Sequence, residues 1–212
     1  CPRIENHEAT LSQFIRNLPR SLQTLKTSGI NLKPKLLDKL PRGLTYMDIN
    51  SQLGANNVVG WPPGLTHLSV AFCASILCYQ QLPDTLTELC IDAVHSGLFR
   101  MRGYADEEQI EAVKNFPRGL EKLIFPFSNL SEALFSALPP RLRDLYINNW
   151  LDDEDWDPRI LAMLPRSLEI FDFSTGYAGQ YNPDFPYTSV IKALPRTLKT
   201  LPQWMDLCLP NT

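Results

Sequence analysis

Three histidines, five cysteines and 23 carboxylates are the raw material for chemistry in this 212-residue chain. His7, His67 and His95 are scattered and none lies in a His-Glu-x-x-His string, so acid–base or zinc chemistry built on histidine has little to draw on. Cys73 and Cys78, followed by Cys90 and His95, form the one metal-like pattern. Their spacing is looser than the paired cysteines of structural zinc sites, and thiols filling small buried positions are the better expectation. Residues 151–158 are acidic around Trp156 but lack the turn glycine and alternating oxygen ligands of a calcium loop; a solvated loop is expected. There is no Gly-rich phosphate loop and no nucleophile elbow. The residues therefore predict a chain that is not an enzyme and carries no metal or cofactor.

What positions the side chains is a repeat. Leu18-Pro19-Arg20-Ser21-Leu22 returns as Leu40-Pro41-Arg42-Gly43-Leu44, then beginning at Trp61, Leu82, Phe116, Leu138, Leu164 and Leu194. The consensus is apolar-Pro-x-x-Leu-x-x-Leu-x-apolar, present eight times, with marker leucines at 22, 44, 65, 86, 120, 142, 168 and 198. After each marker, apolar residues alternate, as in Met47-Asp48-Ile49 and Leu145-Tyr146-Ile147, which predicts a short strand with one buried face. Before the prolines, residues 106–113, 131–138 and 188–194 have helical spacing, with Asp106 and Ser131 placed as N-caps. The proline then acts as a helix stop once per repeat, because it lacks an N–H and disfavours helix at the residue before it. A strand this short must stack on its copies to bury its leucines. The predicted fold class is α/β, a horseshoe solenoid with a parallel sheet on its concave face and helices and loops on its convex face.

The Leu-x-x-Leu-x-Ile/Val core, over roughly residues 10–204, resembles the leucine-rich repeat superfamily, and the Leu-Pro opening is similar to a variant found in bacterial effector repeats. The superfamily's ladder residue, usually Asn or Cys, falls here on Ile30, Gln52, Cys73, Val94, Ser128, Trp150, Gly176 and Asp206, of which Cys73 fits. The resemblance implies a recognition module of about eight repeats, residues 1–212 forming one domain cut from a longer chain. It also leaves two other roles open: an assembly subunit built by end-to-end stacking, or the targeting part of a larger enzyme such as a ubiquitin ligase.

In such repeats the residues flanking the strand's apolar positions face the concave wall. Here that places Tyr46, Asp48, His67, Glu88, Asp92, Asp144, Tyr146 and Asp172 on it, and Tyr177 and Tyr181 in the Tyr-, Gly- and Pro-rich segment beside it. Five acidic residues against Lys26 and Lys122, with two tyrosines among them, suit a protein partner presenting a basic surface or peptide. Arginine follows the repeat proline at Arg20, Arg42, Arg118, Arg166 and Arg196; as cations just past helix ends, they are expected to complement the helix dipole and stay solvated. A net charge of −3 gives no reason to expect nucleic acid or membrane as partner. Few, unpatterned cysteines point to an intracellular, cytoplasmic setting.

Overall fold

The computed structural model describes residues 3–27, 34–53, 60–73, 79–91, 106–125, 130–149, 158–175 and 187–200. Asp92, Tyr177, Tyr181, Cys78, His95 and the acidic run 151–157 lie outside them. Seven strands, β1 (Thr24–Thr27), β2 (Tyr46–Leu53), β3 (His67–Cys73), β4 (Glu88–Ile91), β5 (Lys122–Phe125), β6 (Asp144–Asn149) and β7 (Ile170–Thr175), pair in parallel in chain order. An eighth rung adds a single parallel bridge, Ile170 to Thr200. Connecting segments include α1 (Arg3–Arg16), α2 (Pro34–Leu37), α3 (Asp106–Lys114), α4 (Glu132–Ala137), a 3-10 helix (Pro158–Met163) and α5 (Tyr187–Ala193). The row α3, α4, 3-10 helix, α5 packs each member on the next. Among the described residues no helix is long and apolar enough to cross a membrane.

The proline motif acts twice. In six repeats the residue before it closes the preceding helix or turn with an i→i−3 bond, for example Leu40 N–H to the Leu37 carbonyl at 3.1 Å and Phe116 N–H to Val113 at 3.1 Å. The proline carbonyl then accepts from the marker leucine's N–H in all eight repeats, at 3.0–3.3 Å, closing a β-turn. Ring and carbonyl thus end one element and aim the next. The turn drops the marker leucine into the core: Leu44, Leu65, Leu86, Leu120, Leu142 and Leu168 are each 0% exposed. Two further positions per strand, such as Met47 with Ile49 and Leu145 with Ile147, complete the buried row. At the start of α4 the predicted cap is present, Leu134 N–H donating to Ser131 Oγ at 3.2 Å.

Rungs are tied at the turn. In the first six rungs the carbonyl just after the marker accepts two successive N–H groups from the next rung, as Thr45 does from Thr66 (2.8 Å) and His67 (3.1 Å). The hydroxyls of Thr45, Thr66 and Thr87 add a side-chain bond to the same carbonyl of the rung below. One position before the marker, Thr85 Oγ1 donates to Pro63 and Leu65 carbonyls, and Ser167 Oγ to Pro140 and Leu142. Glycine holds that position at Gly43, Gly64 and Gly119, none with a left-handed φ and none where a Cβ would meet an atom closer than 3.5 Å. Gly43→Thr, where the Arg20 and Leu22 carbonyls lie 3.5 and 3.8 Å from the Cβ position, is therefore expected to stabilise the fold by about 0.5–1.5 kcal/mol, from lost unfolded-state freedom and a gained inter-rung bond. Urea denaturation reads this directly; no gain, or a loss, would show that the turn tolerates no side chain there.

Candidate functional site

Alternation along each strand leaves two columns of side chains on the sheet's open face. Register puts Thr24, Tyr46, His67, Glu88, Lys122, Asp144 and Ile170 in the first, and Lys26, Asp48, Ser69, Cys90, Ile124, Tyr146 and Asp172 in the second. Seven of the ten residues singled out from sequence (Tyr46, Asp48, His67, Glu88, Asp144, Tyr146 and Asp172) therefore share this face, each half-buried. Ile170 joins them and was not read from sequence. Cys90 also belongs here rather than in the core: its thiol is half-exposed and outside any disulfide, as strand alternation requires.

The column order changes the electrostatic reading. Lys26 lies beside Asp48, and Lys122 lies between Glu88 and Asp144. Among the described residues, which leave out Asp92, four carboxylates and two ammonium groups share the face with their signs interleaved. The ammonium groups also sit over aromatic rings, Lys26 Nζ 4.8 Å from the Tyr46 centroid and Lys122 Nζ 5.8 Å from that of Tyr146. Tyr46 stacks on His67 at 5.5 Å, and His67 Nε2 lies 3.0 Å from Glu88 Oε1. Around the small side chains of Ser69 and Cys90 this leaves a hollow of about 210 Å³, walled by Tyr46, Asp48, His67, Glu88, Lys122 and Ile124.

Thr66, His67 and Glu88 have the look of a hydroxyl–imidazole–carboxylate relay, with Thr66 Oγ1 2.7 Å from His67 Nδ1. The hydroxyl also lies 3.0 Å from the Thr45 carbonyl, which can only accept. The hydroxyl shares its one hydrogen between that carbonyl and His67 Nδ1 according to the imidazole tautomer. Held to the backbone on one side and to the ring on the other, Thr66 positions His67 against Glu88. Among the described residues no three His, Cys, Asp or Glu side chains gather as a metal site would need.

A separate charge cluster lies at the turns of the last rungs. Glu169 accepts from Arg143 Nη2 at 2.6 Å and Nε at 3.1 Å, and from the ammonium of Lys199. The Lys199 and Arg143 hydrogen bonds hold the Glu169 carboxyl below its ordinary range, and Glu169 in turn raises Arg143. A depressed carboxyl contributes stability above its unfolded value and loses it as pH falls through the folded one. The melting difference between the parent and Glu169→Gln is thus expected at neutral pH and to shrink below about pH 4.5. A difference that grows on acidification would contradict the assignment.

No family model and no curated protein matches the sequence. Among solved structures, the chain is similar to the leucine-rich repeat-containing protein LegL7 from Legionella pneumophila, with a TM-score of 0.54 and 17% identity over 88% of this chain and 67% of that one. That likeness coincides with what the residues build independently: eight proline-closed turns, a parallel ladder in chain order, and fully buried leucines at six of the eight markers. The chain has the leucine-rich-repeat fold.

Proposed function

We propose that the chain is a protein-recognition module and that its contact surface is the open face of the sheet, the concave wall expected from sequence. The observation that carries this reading is the order of side chains on that face. Cys90, Ile124 and Tyr146 follow one another in the second column, and Glu88, Lys122 and Asp144 run beside them in the first. An apolar, aromatic centre flanked by charges of both signs is the anatomy of a protein contact. A solvated sheet face with no partner has no need of an isoleucine at its middle. Basic groups on the partner would meet Asp48, Asp144 and Asp172, and an apolar anchor would seat between Ile124 and Tyr146. Tyr177, Tyr181 and Asp92 extend the proposed surface beyond the described residues.

The test is capture of protein partners by the parent chain and by a variant carrying Asp48→Lys, Asp144→Lys and Asp172→Lys. Loss of the captured protein, with an unchanged melting curve, supports the face. Retention of the same partner by the variant removes the acidic residues from the interface.

A further inference from the structure

A second surface stands apart from that face. Because every repeat runs in the same direction, all eight proline turns lie along one rim of the sheet, where the strands begin. Successive rungs of a parallel sheet are about 4.8 Å apart. In the last four rungs this rim carries Arg118, Arg141, Arg143, Arg166, Arg196 and Lys199, all exposed, against Glu121 and Glu169. That is a surplus of four positive charges on a chain whose net charge is −3. Arg20 and Arg42 hold the same turn position in the first two rungs, and Pro63 and Asp84 interrupt the row in the next two. An open groove of about 670 Å³ lies within the cluster, walled by Arg141, Arg143 and Lys199 and by the two carboxylates, Glu121 and Glu169.

A helix-dipole role does not explain this row. Backbone N–H groups already close the ends of the helices. Among the described residues no hydrogen bond or ion pair engages Arg118, Arg141, Arg166 or Arg196. Meanwhile the chain shows what such a rim holds. The Glu169 carboxylate is clasped by Arg143 of one neighbouring rung and Lys199 of the other. Five of the six cations are arginine, whose planar fork pairs with carboxylates through two bonds. No aromatic side chain lies among the turn residues of these rungs to stack bases, which single-stranded nucleic acid would exploit.

We propose that the rim formed by the last four turns is a binding site for an acidic protein segment, laid across the turns with its carboxylates paired to Arg118, Arg141, Arg166 and Arg196. The pairing of Glu169 with Arg143 and Lys199 shows the kind of contact such a carboxylate makes.

The test uses the full chain and a fluorescein-labelled peptide of alternating glutamate and glycine, followed by anisotropy in low salt. The rim variant Arg141→Glu, Arg166→Glu, Arg196→Glu is compared with Lys39→Glu, Lys114→Glu, Lys192→Glu, which makes the same change in net charge on exposed residues elsewhere. A neutral rim variant, Arg141→Gln, Arg166→Gln, Arg196→Gln, serves if charge reversal disturbs folding. The rim reversal is expected to weaken peptide binding roughly tenfold or more while the control stays within about twofold, with the difference fading as salt is raised. Equal losses in rim and control variants, or no loss in either rim variant, would overturn the proposal. So would tighter binding of the parent to oligouridylate of matched charge, or to phosphatidylserine vesicles, than to the peptide.

Discussion

Phe116→Ala is expected to destabilise the chain by about 3–5 kcal/mol, the upper range for a single core truncation. Phe116 is 2% exposed and occupies the position before the repeat proline, where most rungs have leucine. Its ring packs edge-on against Tyr79 and Phe125, with centroids 5.6 Å away in both cases, and Tyr79 and Phe125 are 5.9 Å apart. The trio stands where the repeat interval stretches to 34 residues, the longest in the chain, and fills the interior between the fourth and fifth rungs. Edge-to-face pairs contribute roughly 0.5–1.5 kcal/mol beyond the area they bury, so truncation loses ring contacts as well as volume. Each rung of a solenoid is supported by its neighbours alone, so a cavity at mid-chain weakens the coupling between halves. Denaturation followed by circular dichroism should therefore broaden or split into two transitions. Phe116→Leu, which installs the side chain used by Leu40, Leu138 and Leu164, should cost less than about 1.5 kcal/mol. A Phe116→Ala transition as sharp as the parent's and within about 1 kcal/mol of it would show that the aromatic trio does not couple the rungs.

The largest expected effect on binding belongs to Ile124→Lys. Ile124 is half-buried on the open face, with Cys90 on one side and Tyr146 on the other. Central, desolvated anchors typically account for about 2 kcal/mol or more each, whereas a charge at the margin of an interface contributes about 1 kcal/mol or less. Lysine at 124 removes the anchor and places a charge where the partner must be dry. Affinity for a captured partner should fall by a factor of about 30 or more, and by more than Asp48→Lys alone causes. Because the side chain already touches solvent, the melting curve should stay close to the parent's. Equal, small effects of the two substitutions would mean that the contact is electrostatic and lies away from the centre of the face.

Several of these features were legible in the sequence and others were not. Marker leucines, alternating strands and the Ser131 cap follow from spacing within a repeat, which the sequence displays directly. The threonine ladder at Thr45, Thr66 and Thr87 does not, although three threonines at one repeat position were there to be seen. Its bonds depend on a carbonyl 21 or 22 residues earlier lying against the hydroxyl, which only the stacking of rungs establishes. Ile170 was missed because Ile170 and Phe171 are both apolar, so alternation alone does not say which one faces out; register with Asp144 decides it. The types of charge on the face were legible, but their interleaving was not. Composition counts carboxylates, whereas register sets Lys122 between Glu88 and Asp144 and brings His67 against Glu88.

The central claim is that recognition occurs on the open face of the sheet, and hydroxyl-radical footprinting of the chain bound to a captured partner tests it most directly. Tyr46, His67, Ile124 and Tyr146 report on that face, while Phe14, Met163 and Ile191, exposed on the helices, report on the other side. Protection of the first group with undiminished labelling of the second is the predicted result. Protection of Phe14, Met163 and Ile191 with full labelling of Tyr46 and Tyr146 would contradict it.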